Sequence, residues 1–264
     1  MAKEPVLPKD IAALSFEDAL KELETIVQQL ERGQVKLDEA ITAYERGALL
    51  KRHCEQKLAE AKMKVEKIVF PSSGGTLYGK PDRLPIPEDA ALRPGSPYAA
   101  TKIAIESHLA AAHRLYGLDY AVLRYGNPYG PRQDPAGKMG VVAVVFGLLR
   151  GGKRPTLYGD GTTVKDFFYS TDAASAATAV LRSSEDHVFN VGSGRGTSIR
   201  ELFATMAKVI GDPFEPLRAS PLPGDEPACV LDTRRIRRAV GWQPVVNLET
   251  GLRRTWEWIQ LAKP

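Results

Sequence analysis

The 264-residue sequence is 43% hydrophobic and 26% charged with a formal net charge of +4, the balance of an ordinary soluble globular chain. Residues 1–67 carry 12 Lys/Arg against 13 Asp/Glu and the remainder 24 against 19, so neither part demands a nucleic-acid partner, while the basic second part suits an anionic small molecule. The two cysteines, Cys54 and Cys229, lie far apart without metal-ligand spacing, which excludes a disulfide scaffold, offers no metal site and points to a reducing compartment. Residues 1–10 lack an apolar leader and no window reaches 18 apolar residues, so a cytoplasmic protein with no membrane part is expected.

From residue 12 to 67 there is no proline, and Ala, Leu, Glu, Lys and Gln dominate, residues that favour helix at nearly every position. Ser15 with Asp18 three positions on reads as an N-cap and its capping-box partner. Phe16, Leu20, Leu23, Val27 and Leu30 recur at steps of four and three, which predicts one apolar stripe on a helix that Gly33 ends. A second stripe runs through Leu37, Ile41, Tyr44, Ala48, Cys54, Leu58, Ala61 and Val65, and the short join around residues 34–36 predicts an antiparallel, coiled-coil-like hairpin. Two helices alone bury little surface and need a partner, so Phe16, Leu20, Leu23, Val27, Leu30, Ile41 and Tyr44 are candidate partner-binding residues, on the pattern alone those of a generic oligomerisation arm.

The string F-E-x-A-L-x-E-L-E-x-I-V-x-x-L-E from Phe16 to Glu31, with Leu37, Glu39, Ala40, then Tyr44, Glu45, Arg46, Gly47 and the stretch 61–65, resembles the small subunit of bacterial exodeoxyribonuclease VII over residues 12–68. That resemblance implies a non-catalytic accessory subunit bound to the exonuclease large subunit, meeting single-stranded DNA only through that complex.

After residue 67 the texture changes to Gly- and Pro-punctuated segments of mixed period. A short strand is expected at 68–70 ending at Pro71, a helix from Tyr98 to about residue 115, a buried strand at 120–125 and a helix over 172–181. A strand at 188–191 and helices at 198–210 and 248–261 follow, an alternation that predicts an α/β layer structure. Tyr98 and Lys102 form Y-x-x-x-K, and on a helix positions i and i+4 share a face. A lysine ammonium held there favours the phenolate and makes the tyrosine a better base.

Around this pair stand Ser72, Ser73, Gly74, Gly75, Thr76, Leu77, Tyr78 and Gly79 upstream and R-Y-G-N-P-Y-G-P from Arg124 to Pro131 downstream. Y-G-D-G at Tyr158, Lys165 with Asp166 and Phe167, F-N-V-G at Phe189, P-G-D at Pro223 and G-W-Q-P at Gly241 complete the order. This order resembles the extended short-chain dehydrogenase/reductase superfamily, in particular NAD-dependent nucleotide-sugar epimerases of the UDP-glucose 4-epimerase type, over residues 69–260. The resemblance implies that Tyr98 moves the sugar-hydroxyl proton and that Lys102 tunes Tyr98 and holds the nicotinamide ribose. It implies further that Asn127 contacts substrate and that Lys165 and Asp225 hold the nucleotide end. Gly74 stands where the family has a hydroxyl residue, with Ser73 or Thr76 as candidate substitutes, and Lys165 and Leu222 stand where arginines are usual.

The family's G-x-x-G-x-x-G phosphate loop and its acidic ribose-binding residue do not occur in the sequence, which weakens the expectation that NAD is held and implies a bare sheet edge. The glycines of residues 192–196 come too late to replace them and read as a structural turn. No linker separates the pieces at 65–70, as after a deletion joining two genes or an artefact of sequence assembly. The expected organisation is therefore a hairpin, residues 1–67, followed by an incomplete α/β Rossmann-type epimerase with its substrate-binding α+β portion, residues 68–264. The expected function is an exonuclease VII accessory subunit fused to a truncated epimerase. The alternatives are an active UDP-sugar 4-epimerase using Tyr98 and Lys102, or a non-catalytic nucleotide-sugar binder.

Overall fold

A computed structural model describes residues 8–31, 37–64, 67–137, 139–182, 187–221 and 227–261. Two compact units divide the chain, Met1–Glu66 and Lys67–Pro264. Among the described residues no helix is long and apolar enough to cross a membrane.

The first unit holds α1 (Lys9–Ala12), α2 (Phe16–Glu31) and α3 (Leu37–Lys64). Ser15 caps α2, its Oγ accepting from the Asp18 backbone N–H at 3.0 Å. Leu14 meets His53 through a 3.0 Å contact of its carbonyl with Nε2, and Glu22 pairs with Arg46, so α2 and α3 run antiparallel. Arg46 also reaches Asp10 at 2.7 Å, tying α1 to the pair. Ile11, Ala19, Ile26, Leu50 and Cys54 are buried, with Phe16, Leu23 and Leu30 packed against them. The seam is thus rotated from the stripe expected. Phe16, Leu23 and Leu30 face inward, whereas Leu20 and Val27 are 38% and 44% exposed and Ile41 and Tyr44 51% and 71%. Steps of three and four fit either choice, and the seam that forms collects the small Ala19, Ala43 and Gly47, with Gly47 lying under Leu23 and Ile26.

The second unit opens with β1 (Ile68–Ser73), α4 (Pro97–Tyr116), β2 (Tyr120–Tyr125), β3 (Asn127–Tyr129) and α5 (Val141–Arg150). Then come β4 (Thr156–Tyr158), β5 (Val164–Lys165), β6 (Phe167–Tyr169), α6 (Ser170–Val180), β7 (Val188–Val191), β8 (Thr197–Ser198) and α7 (Ile199–Ile210), with β9 (Leu217–Ala219), α8 (Arg234–Val240) and α9 (Leu248–Leu261) at the end. Among the described strands, three form a parallel sheet in the order β1-β2-β7. β2, Y-A-V-L-R-Y, is apolar at most positions because it is the central strand, covered on both faces. β1 continues through Pro71 instead of ending there, since a residue without an N–H is tolerated on an outer strand. Ala121, Leu123, Phe189 and Val191 pack with Ala176 and Val180 of α6 and with Ile236 and Trp242.

A second core gathers Phe146 of α5, Leu202 and Met206 of α7 and Leu252 and Ile259 of α9, all fully buried. Each such side chain contributes roughly 1.5–3 kcal/mol on leaving water. Three short pairs, β3-β6, β4-β9 and β5-β8, complete the described strands, and Tyr129 of β3, Leu157 of β4 and Phe167 and Tyr169 of β6 join this core. The architecture is thus N-terminal helices followed by an α/β unit built on a parallel sheet.

Candidate active site at the carboxyl ends of the parallel strands

β1 and β2 end side by side, Ser72 opposite Arg124 and Ser73 opposite Tyr125. Open α/β sheets place their ligands beyond such ends. α4 starts beside them because Ser96 accepts from the Ala99 backbone N–H at 3.2 Å and Pro97 occupies the first turn, where its missing N–H costs nothing. Tyr98 lies in that first turn and is 53% exposed. One turn on, Lys102 Nζ donates to the Pro71 carbonyl at 2.8 Å and lies 4.7 Å from the Phe70 ring centroid and 5.6 Å from that of Tyr98. The structure thus brings the Tyr98–Lys102 pair to the end of β1, with the ammonium fixed by a carbonyl and two aromatic rings.

Thr76 Oγ1 donates to Ser73 Oγ at 3.0 Å, so these two hydroxyls lie together just past β1. Between them, Gly74 has no room for a side chain. A Cβ there would sit 2.6 Å from Leu231 Cδ1 and 3.1 Å from the Arg124 carbonyl oxygen. Gly75 faces Asn127, whose Oδ1 is buried and has no hydrogen-bond partner among the described residues. An orphaned buried acceptor at a strand end is where a ligand donor belongs. Lys165 lies on β5, paired to Thr197 of β8, two positions before Phe167 pairs with Asn127. Asp225 lies outside the described residues.

Asn127 is held from behind by Asp166, whose backbone carbonyl accepts its N–H at 2.7 Å. The fully buried Asp166 carboxylate accepts from Ser193 N and Oγ, both at 2.6 Å, from Gly194 N at 3.2 Å and from Leu231 N at 3.1 Å. Burial pushes its carboxyl up, against these hydrogen bonds, which favour the charged form. Gly126 and Gly192 are glycines because a Cβ at either would come within 2.7 Å of the Asp166 carbonyl oxygen or 2.6 Å of its Oδ2. Gly192 and Gly194 therefore lie against a carboxylate of this chain, and the N–H groups of Ser193 and Gly194 are spent on it.

Below the site runs a buried polar chain that sequence reasoning missed. Arg124 and Glu106 pair at 2.6 Å, Arg124 also donates to the Tyr78 hydroxyl at 2.9 Å, and Tyr78 donates to Asn190 Oδ1 at 2.7 Å. Burial pushes the Tyr78 phenol up to about 12, which keeps it a neutral donor. One signal could have found Glu106: it stands four residues after Lys102, on the helix face that meets β1.

A model of the NAD dependent epimerase/dehydratase family matches residues 31–192. The UDP-glucose 4-epimerase of Mycolicibacterium smegmatis is 41% identical over 197 residues, 74% of this chain and 63% of that protein. The crystal structure of UDP-glucose 4-epimerase from Thermotoga maritima with UDP-glucose is 34% identical with a TM-score of 0.73, covering 94% of this chain and 83% of that one. That of the Thermus thermophilus UDP-glucose 4-epimerase complex with NAD is 38% identical with a TM-score of 0.70, covering 83% and 70%. The chain spans just under two thirds of the length of the curated relatives it matches.

These matches overturn the reading of an exonuclease VII accessory subunit with a truncated epimerase attached. The family match crosses residue 67 without a break, taking in α3 as well as β1 to β7, and the Thermotoga structure covers nearly the whole chain. The physical reason for the error is that Leu, Ala, Glu and Lys at steps of three and four are what any pair of packed amphipathic helices requires. Such a pattern specifies a partner far less than glycines that must fit round a buried carboxylate. By its family match and its fold, the chain belongs to the NAD dependent epimerase/dehydratase family.

Proposed function

We propose that the chain interconverts the 4-epimers of a UDP-sugar with NAD as its cofactor. The observation that carries the proposal is the Tyr98–Lys102 pair, fixed at the end of β1 and facing solvent. The named activity of the M. smegmatis and T. maritima relatives supports it. When bound, NAD supplies the hydride acceptor and donor. Tyr98 takes the proton of the sugar hydroxyl and returns it after the sugar has turned its other face. Lys102 keeps a positive charge beside the phenol ring and, with Tyr98, holds the nicotinamide ribose. Asn127 offers its orphaned Oδ1 to a substrate hydroxyl. Ser73 and Thr76 stand in for the hydroxyl that Gly74 cannot carry, and Lys165 and Asp225 hold the nucleotide end. The residues fit the nicotinamide end of the cofactor. For its diphosphate the sequence offers no G-x-x-G-x-x-G, and in the glycine cluster of 192–196 the N–H groups of Ser193 and Gly194 are committed to Asp166.

The test is turnover of a UDP-sugar in the presence of NAD by the wild type and by Tyr98→Phe. Loss of an acid–base group of this kind costs about 10²- to 10⁴-fold in kcat. Equal turnover by the two proteins refutes the proposal.

A further inference from the structure

Tyr98, Lys102 and Glu106 follow one another at i, i+4 and i+8 on α4, and the last two meet successive residues of β1. Lys102 Nζ donates to the Pro71 carbonyl at 2.8 Å, and Glu106 Oε1 accepts from Ser72 Oγ at 2.5 Å. Glu106 is 7% exposed and Arg124 6%. Arg124 Nε lies 3.2 Å from both Glu106 oxygens and Nη2 2.6 Å from Oε2. Ser72, Arg124 and Asn190 are direct cross-strand partners, so this polar row spans β1, β2 and β7 at one level, one residue short of the strand ends that form the site.

Stability is a poor reason for such a row. A buried ion pair is typically worth no more than a well-packed apolar replacement. Its distinguishing property is direction: a carboxylate that must meet both Ser72 and the Arg124 fork admits one register of α4 on the sheet, whereas apolar packing admits several. We propose that Glu106 is a positioning residue, which clamps α4 to β1 through Ser72 and so sets Lys102, and with it Tyr98, against the end of β1. Its kinetic consequence rests on the epimerase reading above.

Removing Glu106 leaves Arg124 buried without its partner and endangers folding, so the test uses Ser72. Ser72→Ala releases the clamp from β1 while leaving the Glu106–Arg124 pair intact, and Ser72→Thr restores a hydroxyl donor. The expected result is a fall in kcat of roughly tenfold for Ser72→Ala with KM changed by less than about twofold, and recovery in Ser72→Thr, because a small misplacement of a catalytic group lowers turnover more than binding. A purely structural role predicts instead that both variants keep wild-type kcat under conditions where they remain folded, and that result overturns the proposal. A second readout needs no turnover: the rate at which an amine-reactive ester acylates Lys102, followed by peptide mass spectrometry. Faster labelling in Ser72→Ala than in wild type and Ser72→Thr supports the clamp, and equal rates in all three refute it. If the wild type shows no epimerisation, the epimerase reading fails and the labelling rates alone decide the clamp.

Discussion

Asp166 offers the most demanding test of how the site is held. Oδ1 accepts twice from Ser193, through N and Oγ, and Oδ2 accepts from the backbone N–H groups of Gly194 and Leu231. Asp166→Asn keeps the shape but leaves only one acceptor oxygen. Whichever way the amide turns, its NH₂ faces two donors, and at least one buried backbone N–H loses its partner. Each buried donor left unsatisfied costs about 1–3 kcal/mol, so the loss is roughly 2–6 kcal/mol for two. Against this, the neutral amide escapes the burial penalty that pushes the carboxyl up, which brings the expected net loss toward about 2–4 kcal/mol. The assay is urea unfolding of the wild type, Asp166→Asn and Ser193→Ala, the last removing one hydroxyl donor and costing about 1 kcal/mol. An Asp166→Asn protein within about 0.5 kcal/mol of wild type refutes the view that this carboxylate anchors the loop behind Asn127.

Gly74→Ser, which puts a hydroxyl at this position, must displace Leu231 and should lower stability by about 1–3 kcal/mol. Adding Leu231→Ala should cost less than the sum of the two single changes, measured as a thermal-unfolding double-mutant cycle; strict additivity would show that the two side chains do not meet. In α7, Ser198 and Glu201 form a reciprocal capping box, and Ser198→Ala should cost about 1 kcal/mol by urea unfolding, with an unchanged midpoint ruling the cap unimportant. The Arg234 guanidinium beside Asp232 holds its carboxyl below the ordinary 3.8. A depressed carboxyl contributes stability above 3.8 that is lost as pH falls through the folded value. Arg234→Ala should therefore trail the wild type at neutral pH, and the gap should close on acidification below that value; a gap that widens in acid contradicts this.

Helices α4, α7 and α9 and strands β2 and β7 were legible in the sequence because each is a segment of consistent local character bounded by turn residues, and β2 and β7 are apolar at all but one position. Helix α5, V-V-A-V-V-F-G-L-L-R, was not, since a segment apolar nearly all round has no helical period and its β-branched residues argue for strand. Strands of two or three residues such as β3, β5 and β8 are fixed by tertiary pairing and leave no local pattern. α8 has Ile236 as its only buried residue and four arginines, so no apolar stripe marks it. In the site, the spacing of Tyr98 and Lys102 was readable because both lie on one helix. The roles of Gly126 and Gly192 were not, because both answer to Asp166, which is distant in sequence. Glu106 was overlooked because a carboxylate inside a helix of ordinary composition looks solvent-facing until Arg124 is seen across from it.

The most direct test of the central claim is to incubate the purified chain with NAD and UDP-glucose and to quantify the 4-epimer of the sugar by NMR, with Tyr98→Phe alongside. The account predicts that the 4-epimer accumulates with the wild type and not with the variant. No epimer from the folded wild type, or equal amounts from both proteins, contradicts it.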